Sequence, residues 1–346
     1  MPKTVGGIWR QVIEFDSLYA AFLRAQKRLK DVESVLRYRA NLEENLVTLQ
    51  NELIWHTWRP APPRNFEVYE PKRRDIAAPA FRDRVAHQAL VAAIEPHFER
   101  RFISASYACR AGMGTHAAVA KAQSMLREAR AMWGDRVWVL KCDIKSYFRS
   151  IDHETLKGIN RRTISDPDVL WMMDRIIDHG GEGDKGLDIG ALTSQLEANV
   201  YADQLDHVIK DKWGVKYYAR YMDDFVIISG EKERLRVMLW AIGDYVEKIL
   251  KLRLNPKTGI LAATQGLDFC GYRIWATHML PRKRNTRRIH KRLRRMARLY
   301  ASGQLDIQKA EQVIASYLGY MQHCQGFKTA AAFLEELVFS RGRQEA

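Results

Sequence analysis

Two aspartates stand side by side between apolar runs, Ala219-Arg-Tyr-Met-Asp-Asp-Phe-Val-Ile-Ile, and this pattern limits the fold more than any other feature. The flanking β-branched and aromatic residues predict two short strands over 215–229, with Asp223 and Asp224 at the hairpin tip. Alone, such a pair is an ordinary solvated turn, because Asp is common in turns. A third carboxylate changes the reading. The strand-like run Arg136-Val-Trp-Val-Leu-Lys-Cys ends at Asp143. Asp143 could simply cap the next turn. A carboxylate ending a buried strand is otherwise costly unless it is paired or holds a cation. On neighbouring strands the three charges would converge, and hard oxygen ligands suit Mg²⁺. Two such ions roughly 4 Å apart can activate a 3′-hydroxyl and stabilise a leaving pyrophosphate.

Charge points to a polyanionic partner. The 346 residues carry a net charge of +15, and ten Lys/Arg with no Asp/Glu lie between Pro281 and Tyr300. One basic element near the C-terminus therefore holds most of the excess, which favours nucleic acid over a membrane surface. The hydrophobic fraction of 47% supports a sizeable core and excludes a disordered or fibrous chain. The four cysteines lack metal-binding spacing, so a zinc site is not expected. No signal-like or membrane-length apolar run is present, so the expectation is a soluble, cytoplasmic protein with no membrane partner.

Apolar spacing predicts helices over Ser17–Trp55, Ala80–Arg101, Ser194–Lys212 and Asp244–Leu252, and from Thr286 onward with breaks near Gly303 and Gly326. A strand is predicted from Phe66, a basic loop over Lys72–Pro79, an irregular Gly-rich stretch over Gly180–Gly190, and a strand or hairpin over Leu267–Trp275. Strands in the middle with helices at both ends indicate α+β.

Tyr221-Met-Asp-Asp resembles the YxDD motif of reverse transcriptases, and Leu140-Lys-Cys-Asp-Ile-Lys-Ser-Tyr-Phe resembles their first palm motif. The resemblance covers roughly residues 60 to 325. It implies a right-hand polymerase with fingers, palm (an antiparallel sheet plus helices) and helical thumb. The expected boundaries are 1–138 for N-terminal helices and fingers, 139–280 for the palm with a fingers insertion at about 155–185, and 281–346 for the thumb. Asp143, Asp223 and Asp224 would bind two Mg²⁺. Phe148 would be the steric gate against a ribose 2′-hydroxyl, with Tyr147 in the core. The segment Glu70 to Gln88 resembles the fingers motifs, where Lys72 and Arg74 would contact triphosphate. Arg73 reads as a solvated basic residue, and Arg82 and Arg84 as backbone contacts or braces. Arg110 and His116, in a segment that matches the family near the template, are better read as structural. Asn255-Pro-Lys-Thr resembles the later palm motif. There Lys257 is either a general acid for pyrophosphate or an exposed loop lysine. Phe269-Cys-Gly-Tyr resembles the primer grip, and the basic run after it falls where the thumb begins.

Leu187-Asp-Ile-Gly-Ala-Leu-Thr-Ser-Gln narrows the resemblance. Ile189 and Gln195 stand where intron and retron enzymes usually carry Gln and Pro. This form is similar to reverse transcriptases of diversity-generating retroelements, although Asp188 stands where these often have Pro. The implied activity is RNA-directed DNA synthesis on a template-repeat RNA, error-prone at adenines, for mutagenic retrohoming. Template RNA, a DNA or RNA primer, dNTPs and a small accessory variability protein would be partners. The alternatives are a phage-defence or free-standing group II intron-like enzyme, and an idle RNA-binding module. The intact Asp143, Asp223, Asp224 and Phe148 argue against an idle module.

Overall fold

The computed structural model describes residues 4–27, 29, 31–69 and 73–341. The chain opens with helices α1 (Trp9–Ile13), α2 (Phe15–Ala25), α3 (Glu33–Ala40) and α4 (Leu42–Ile54). Leu18, Phe22, Val35, Leu46, Leu49 and Leu53 are buried, in keeping with the helical spacing of the sequence. A hairpin follows, β1 (Arg64–Val68) and β2 (Arg74–Ala78), paired antiparallel from Arg64↔Ala78 to Val68↔Arg74. The expected basic loop over 72–79 is thus in large part a strand. Asp75, Ala77 and Ala78 favour strands weakly, but the ladder to β1 overrides that preference.

Helix α5 (Phe81–Glu99) is buried over most of its circumference and packs on α1, α2 and α10. After it come α6 (Thr115–Trp133), β3 (Trp138–Asp143), α7 (Tyr147–Ser150), α8 (His153–Asn160), α9 (Pro167–His179) and α10 (Leu192–His207). One carboxylate caps two helices. Asp166 Oδ1 accepts from the Asp168 and Val169 N–H groups of α9, and Oδ2 accepts from Ile8 and Trp9 at 2.7 and 3.0 Å. Pro167 in the first turn of α9 costs no hydrogen bond there. This pins the N-terminal segment to the middle of the chain.

The rest comprises β4 (Tyr218–Tyr221), β5 (Asp224–Ser229), α11 (Lys232–Lys248), β6 (Gly259–Ala262), the strands β7 (Leu267–Phe269), β8 (Tyr272–Ile274) and β9 (Met279–Pro281), and helices α12 (Lys283–Ala301), α13 (Ile307–Met321) and α14 (Phe327–Glu335). Helix α11 begins twelve residues before the predicted start at Asp244. Exposed Val237 and Trp240 blur its apolar stripe, which is Leu235, Ile242 and Val246.

The central sheet runs β4-β5-β3-β6 and is antiparallel throughout. Its strands alternate between two cores. Leu140, Cys142, Tyr218, Phe225 and Ile227 face the core shared with α5, α8, α9, α10 and α11. Val139, Ala219, Val226 and Ile228 face the core shared with α6, β7 and β8. Helices α12 to α14 form a third core around Leu293, Met296, Tyr317, Met321 and Phe333. The architecture is the α+β right-hand class expected from the sequence. No helix among the described residues is long and apolar enough to cross a membrane.

Helix α10 ends in a π-helical turn over 208–212. There His207 faces acceptors on both ring nitrogens. Nε2 lies 3.1 Å from the Arg101 carbonyl and 3.3 Å from Asp203 Oδ2, and Nδ1 lies 2.5 Å from Asp211 Oδ2. Asp203 foremost, then Asp211, outweighs partial burial and raises the imidazole to about 9. A raised folded-state pKa stabilises the fold fully below the unfolded value, and the benefit fades as pH climbs through the folded one. The melting temperature of wild type relative to His207→Gln should therefore shrink between about pH 6.5 and 9. A pH-independent difference in paired thermal melts would refute the assignment.

Candidate active site

β3 and β5 bring two of the three aspartates together. Asp143 and Asp224 are cross-strand partners in the β3–β5 ladder, so their side chains leave the same face of the sheet. Alternation places them on the α6/β7/β8 side, in line with Lys141 and Val226. Asp224 is the first residue of β5, not part of the turn, and the two-residue loop is Met222–Asp223. Met222 has φ +57°. Asp223 follows it, and its carbonyl accepts from the Ile144 N–H at 3.2 Å, tying the turn to the end of β3.

Negative charge converges at this edge of the sheet. Asp224 Oδ1 is buried without a hydrogen-bond partner, while Oδ2 meets Lys141 Nζ at 3.3 Å. Burial pushes the Asp224 carboxyl up to about 7 against the pull of Lys141, and Asp143 and Asp223 push it the same way. An orphaned buried carboxylate oxygen beside a second aspartate fits an oxygen-seeking divalent cation. Among the described residues no three His, Cys, Asp or Glu side chains already converge as a cage. A cation would have to draw the carboxylates together.

Lys141 is the residue that motif reasoning missed. Its ammonium also donates to the Asp268 carbonyl of β7 at 2.6 Å, and Asp268 Oδ2 lies 3.4 Å from Arg282 at the start of α12. The signal was available, because Lys141 and Asp143 are two apart on one strand and so share a face.

The other candidate residues surround this edge. The Asp143 carbonyl accepts from Asn255 N–H at 2.7 Å, and its N–H donates to Thr258 Oγ1 at 3.3 Å. Exposed Lys257 lies in the turn between them. Phe148 on α7 is half-buried, packs edge-on against Tyr147, and accepts from Leu187 N–H through its carbonyl. Tyr147 is buried, and its hydroxyl donates to the Ala198 carbonyl, as expected of a core residue.

The Ile189 loop touches the N-terminal hairpin directly. The Ala77 N–H of β2 donates to the Ile189 carbonyl at 3.0 Å. Gly190 is required there. It has φ +131°, and a Cβ would sit 3.0 Å from the Ile76 side chain and 3.2 Å from the Ala77 carbonyl. Asp188 accepts from the Gly181 N–H at 3.2 Å and closes the Gly-rich loop. Ile189 is half-buried, and Gln195 is exposed in the first turn of α10. Asp75 of β2 pairs with Arg149 of α7, a second tie between this hairpin and the middle of the chain.

Arg74, at the start of β2, is exposed; Lys72 lies outside the described residues. Arg73 pairs with Glu67 and Asp75 and is not simply solvated. Arg82 braces α4 through Glu52 at 2.8 Å, whereas half-buried Arg84 makes no ion pair among the described residues. Arg110 holds Glu99 and two main-chain carbonyls, so it is structural. All ten cationic residues of 281–300 are exposed, while Leu293 and Met296 on the opposite side of α12 are buried.

Sequence comparisons with known proteins point to one family. The family described as "Reverse transcriptase (RNA-dependent DNA polymerase)" matches residues 69–274. Protein YkfC of Escherichia coli is 29% identical over 279 residues, covering 68% of this chain and 72% of YkfC. Group II intron-encoded protein LtrA of Lactococcus lactis is 25% identical over 305 residues, covering 67% of this chain and half of LtrA. A telomerase structure from Candida albicans overlaps 80% of this chain and 55% of its own, at 11% identity and a TM-score of 0.47. With the family matched across well over half of its length, the chain belongs to the reverse transcriptases, the RNA-dependent DNA polymerases.

Proposed function

We propose that the chain is the polymerase of a diversity-generating retroelement, copying a template-repeat RNA into cDNA with errors opposite adenines for mutagenic retrohoming. The facing pair Asp143 and Asp224, with its orphaned oxygen, carries the polymerase reading. Asp143, Asp223 and Asp224 would hold two Mg²⁺, which when bound polarise the primer 3′-hydroxyl and offset charge on the leaving pyrophosphate. Lys257, in the turn bonded to Asp143, would give a proton to pyrophosphate. Lys72 and Arg74 would take the triphosphate. Domain boundaries at about 138/139 and 280/281, with an insertion near 155–185, divide fingers, palm and thumb. Template RNA and primer would lie along α12, in a cytoplasmic complex that includes a small accessory variability protein.

Phe148 would close the nucleotide site to a 2′-hydroxyl. Phe148→Ala should then lower discrimination against ribonucleotides roughly tenfold or more, read as competing rNTP and dNTP incorporation. Unchanged discrimination in a folded variant assigns Phe148 to packing.

The retroelement reading rests on Ile189. Its side chain is apolar, so unlike a Gln side chain it can neither donate to nor accept from a nascent base pair. Ile189→Gln should lower misincorporation, most of all opposite template adenine, by about tenfold if it restores about 1.4 kcal/mol of discrimination. Sequencing cDNA from one RNA template tests this. The likeness to LtrA favours a second reading, an intron-type enzyme. A wild type already accurate at adenines would decide for it.

A further inference from the structure

We propose that Arg220 is a positioning residue that acts from beneath the sheet, holding the left-handed turn at Met222 that aims Asp223 and Asp224. Arg220 is fully buried, and strand alternation puts its side chain on the face opposite Asp224. It cannot touch template, primer or nucleotide. All five of its N–H donors are engaged. Nε and Nη2 grip Asp206 at 2.6 to 2.9 Å, Nη2 reaches Ser106 Oγ at 2.9 Å, and Nη1 reaches Asn199 Oδ1 at 3.1 Å. The remaining Nη1 bond, also 3.1 Å, goes to the carbonyl of Met222.

That bond matters because of the turn. Tyr221 pairs with Asp224, so Met222 and Asp223 form a two-residue hairpin loop. Such loops need positive φ at the first central residue, where Gly, Asn or Asp is normally found. Met222 has φ +57° without that chemistry. The local sequence does not favour the conformation, so an outside contact must hold it. Arg220 supplies one, backed by Asp206 and Asn199 of α10 and Ser106 of the loop after α5. Its own backbone is fixed as well, with its N–H donating to Ala105 O and its carbonyl accepting from Tyr107 N–H. The aspartate turn is thereby clamped to α10, whose first turn carries Gln195.

Arg220→Lys keeps a cation beside Asp206 but cannot span to Met222. Met222→Gly makes positive φ intrinsically acceptable. The single variants and the double variant are compared by single-nucleotide kcat and dNTP KM, and by the rise in melting temperature that Mn²⁺ induces. Arg220→Lys should lower kcat on the order of a hundredfold with little change in KM, and should lose the Mn²⁺-induced rise. Adding Met222→Gly should recover on the order of tenfold in kcat and part of the Mn²⁺ response, a coupling absent when Met222→Gly is made alone. No recovery, or wild-type kcat in Arg220→Lys, overturns the proposal. Should Arg220→Lys not fold, Ser106→Ala loosens the same guanidinium with its Asp206 pair intact. The same rescue is then expected, and its failure is equally fatal. The inference rests on the aspartates binding the cation. A Mn²⁺ response that survives Asp223→Asn overturns that reading, whereas failed rescue overturns only the role of Arg220.

Discussion

Asp223→Asn should abolish primer extension to within about a thousandth of wild type while the protein stays folded and bound to RNA. The substitution keeps size and hydrogen-bonding shape but removes a charge at the edge where Asp143 and Asp224 already face each other. Loss of one carboxylate weakens cation binding and the alignment of the attacking oxygen, and about 4 kcal/mol of barrier corresponds to three orders of magnitude. Folding should be spared. The Asp223 carbonyl still accepts from Ile144, and the adjacent buried charge of Asp224 feels less repulsion. The measurement pairs single-turnover extension with RNA binding and thermal melting. Extension at the wild-type rate would remove Asp223 from the chemistry.

Replacing Arg287, Arg288, Lys291 and Arg295 together by Gln should weaken RNA binding by two or more orders of magnitude near physiological salt. All four are exposed on α12, whose Leu293 and Met296 anchor it to α13 and α14. The helix should persist, because its buried stripe is untouched and Gln is a good helix former. Each lost phosphate contact should reduce the slope of log K against log salt by about 0.7 for single strands and 0.9 for duplex. Four contacts therefore predict a slope shallower by about 3. Titrations at several salt concentrations read this directly. An unchanged slope would place the nucleic acid elsewhere, and a loss of melting temperature would show that the charges serve packing.

Period and punctuation in the sequence determined a good deal of this protein. Apolar, β-branched and aromatic runs on each side of Asp223–Asp224 specified the β4–β5 hairpin, and Trp138 to Asp143 specified β3, because a strand buried on both faces reads as a near-continuous apolar run. The lopsided charge of 281–300 specified an exposed cationic helix, since ten like charges cannot be buried. Motif order put Asp143 and the aspartate pair near each other, and the β3–β5 ladder makes Asp143 and Asp224 cross-strand partners. Tertiary structure alone decided the rest. Strand β2 exists because β1 and the Ile189 carbonyl complete its hydrogen bonds, which its own residues do not advertise. Lys141 serves Asp224 because β3 and β5 pair in that register, and register depends on both strands. Arg220 reads in sequence as a charge within an apolar strand, a position that looks like a surface. Only the approach of Asp206, Asn199 and Ser106, 14, 21 and 114 residues away, shows that it is buried and satisfied. Local pattern reports what a residue prefers by itself, whereas the partners that make a buried charge affordable come from distant parts of the chain.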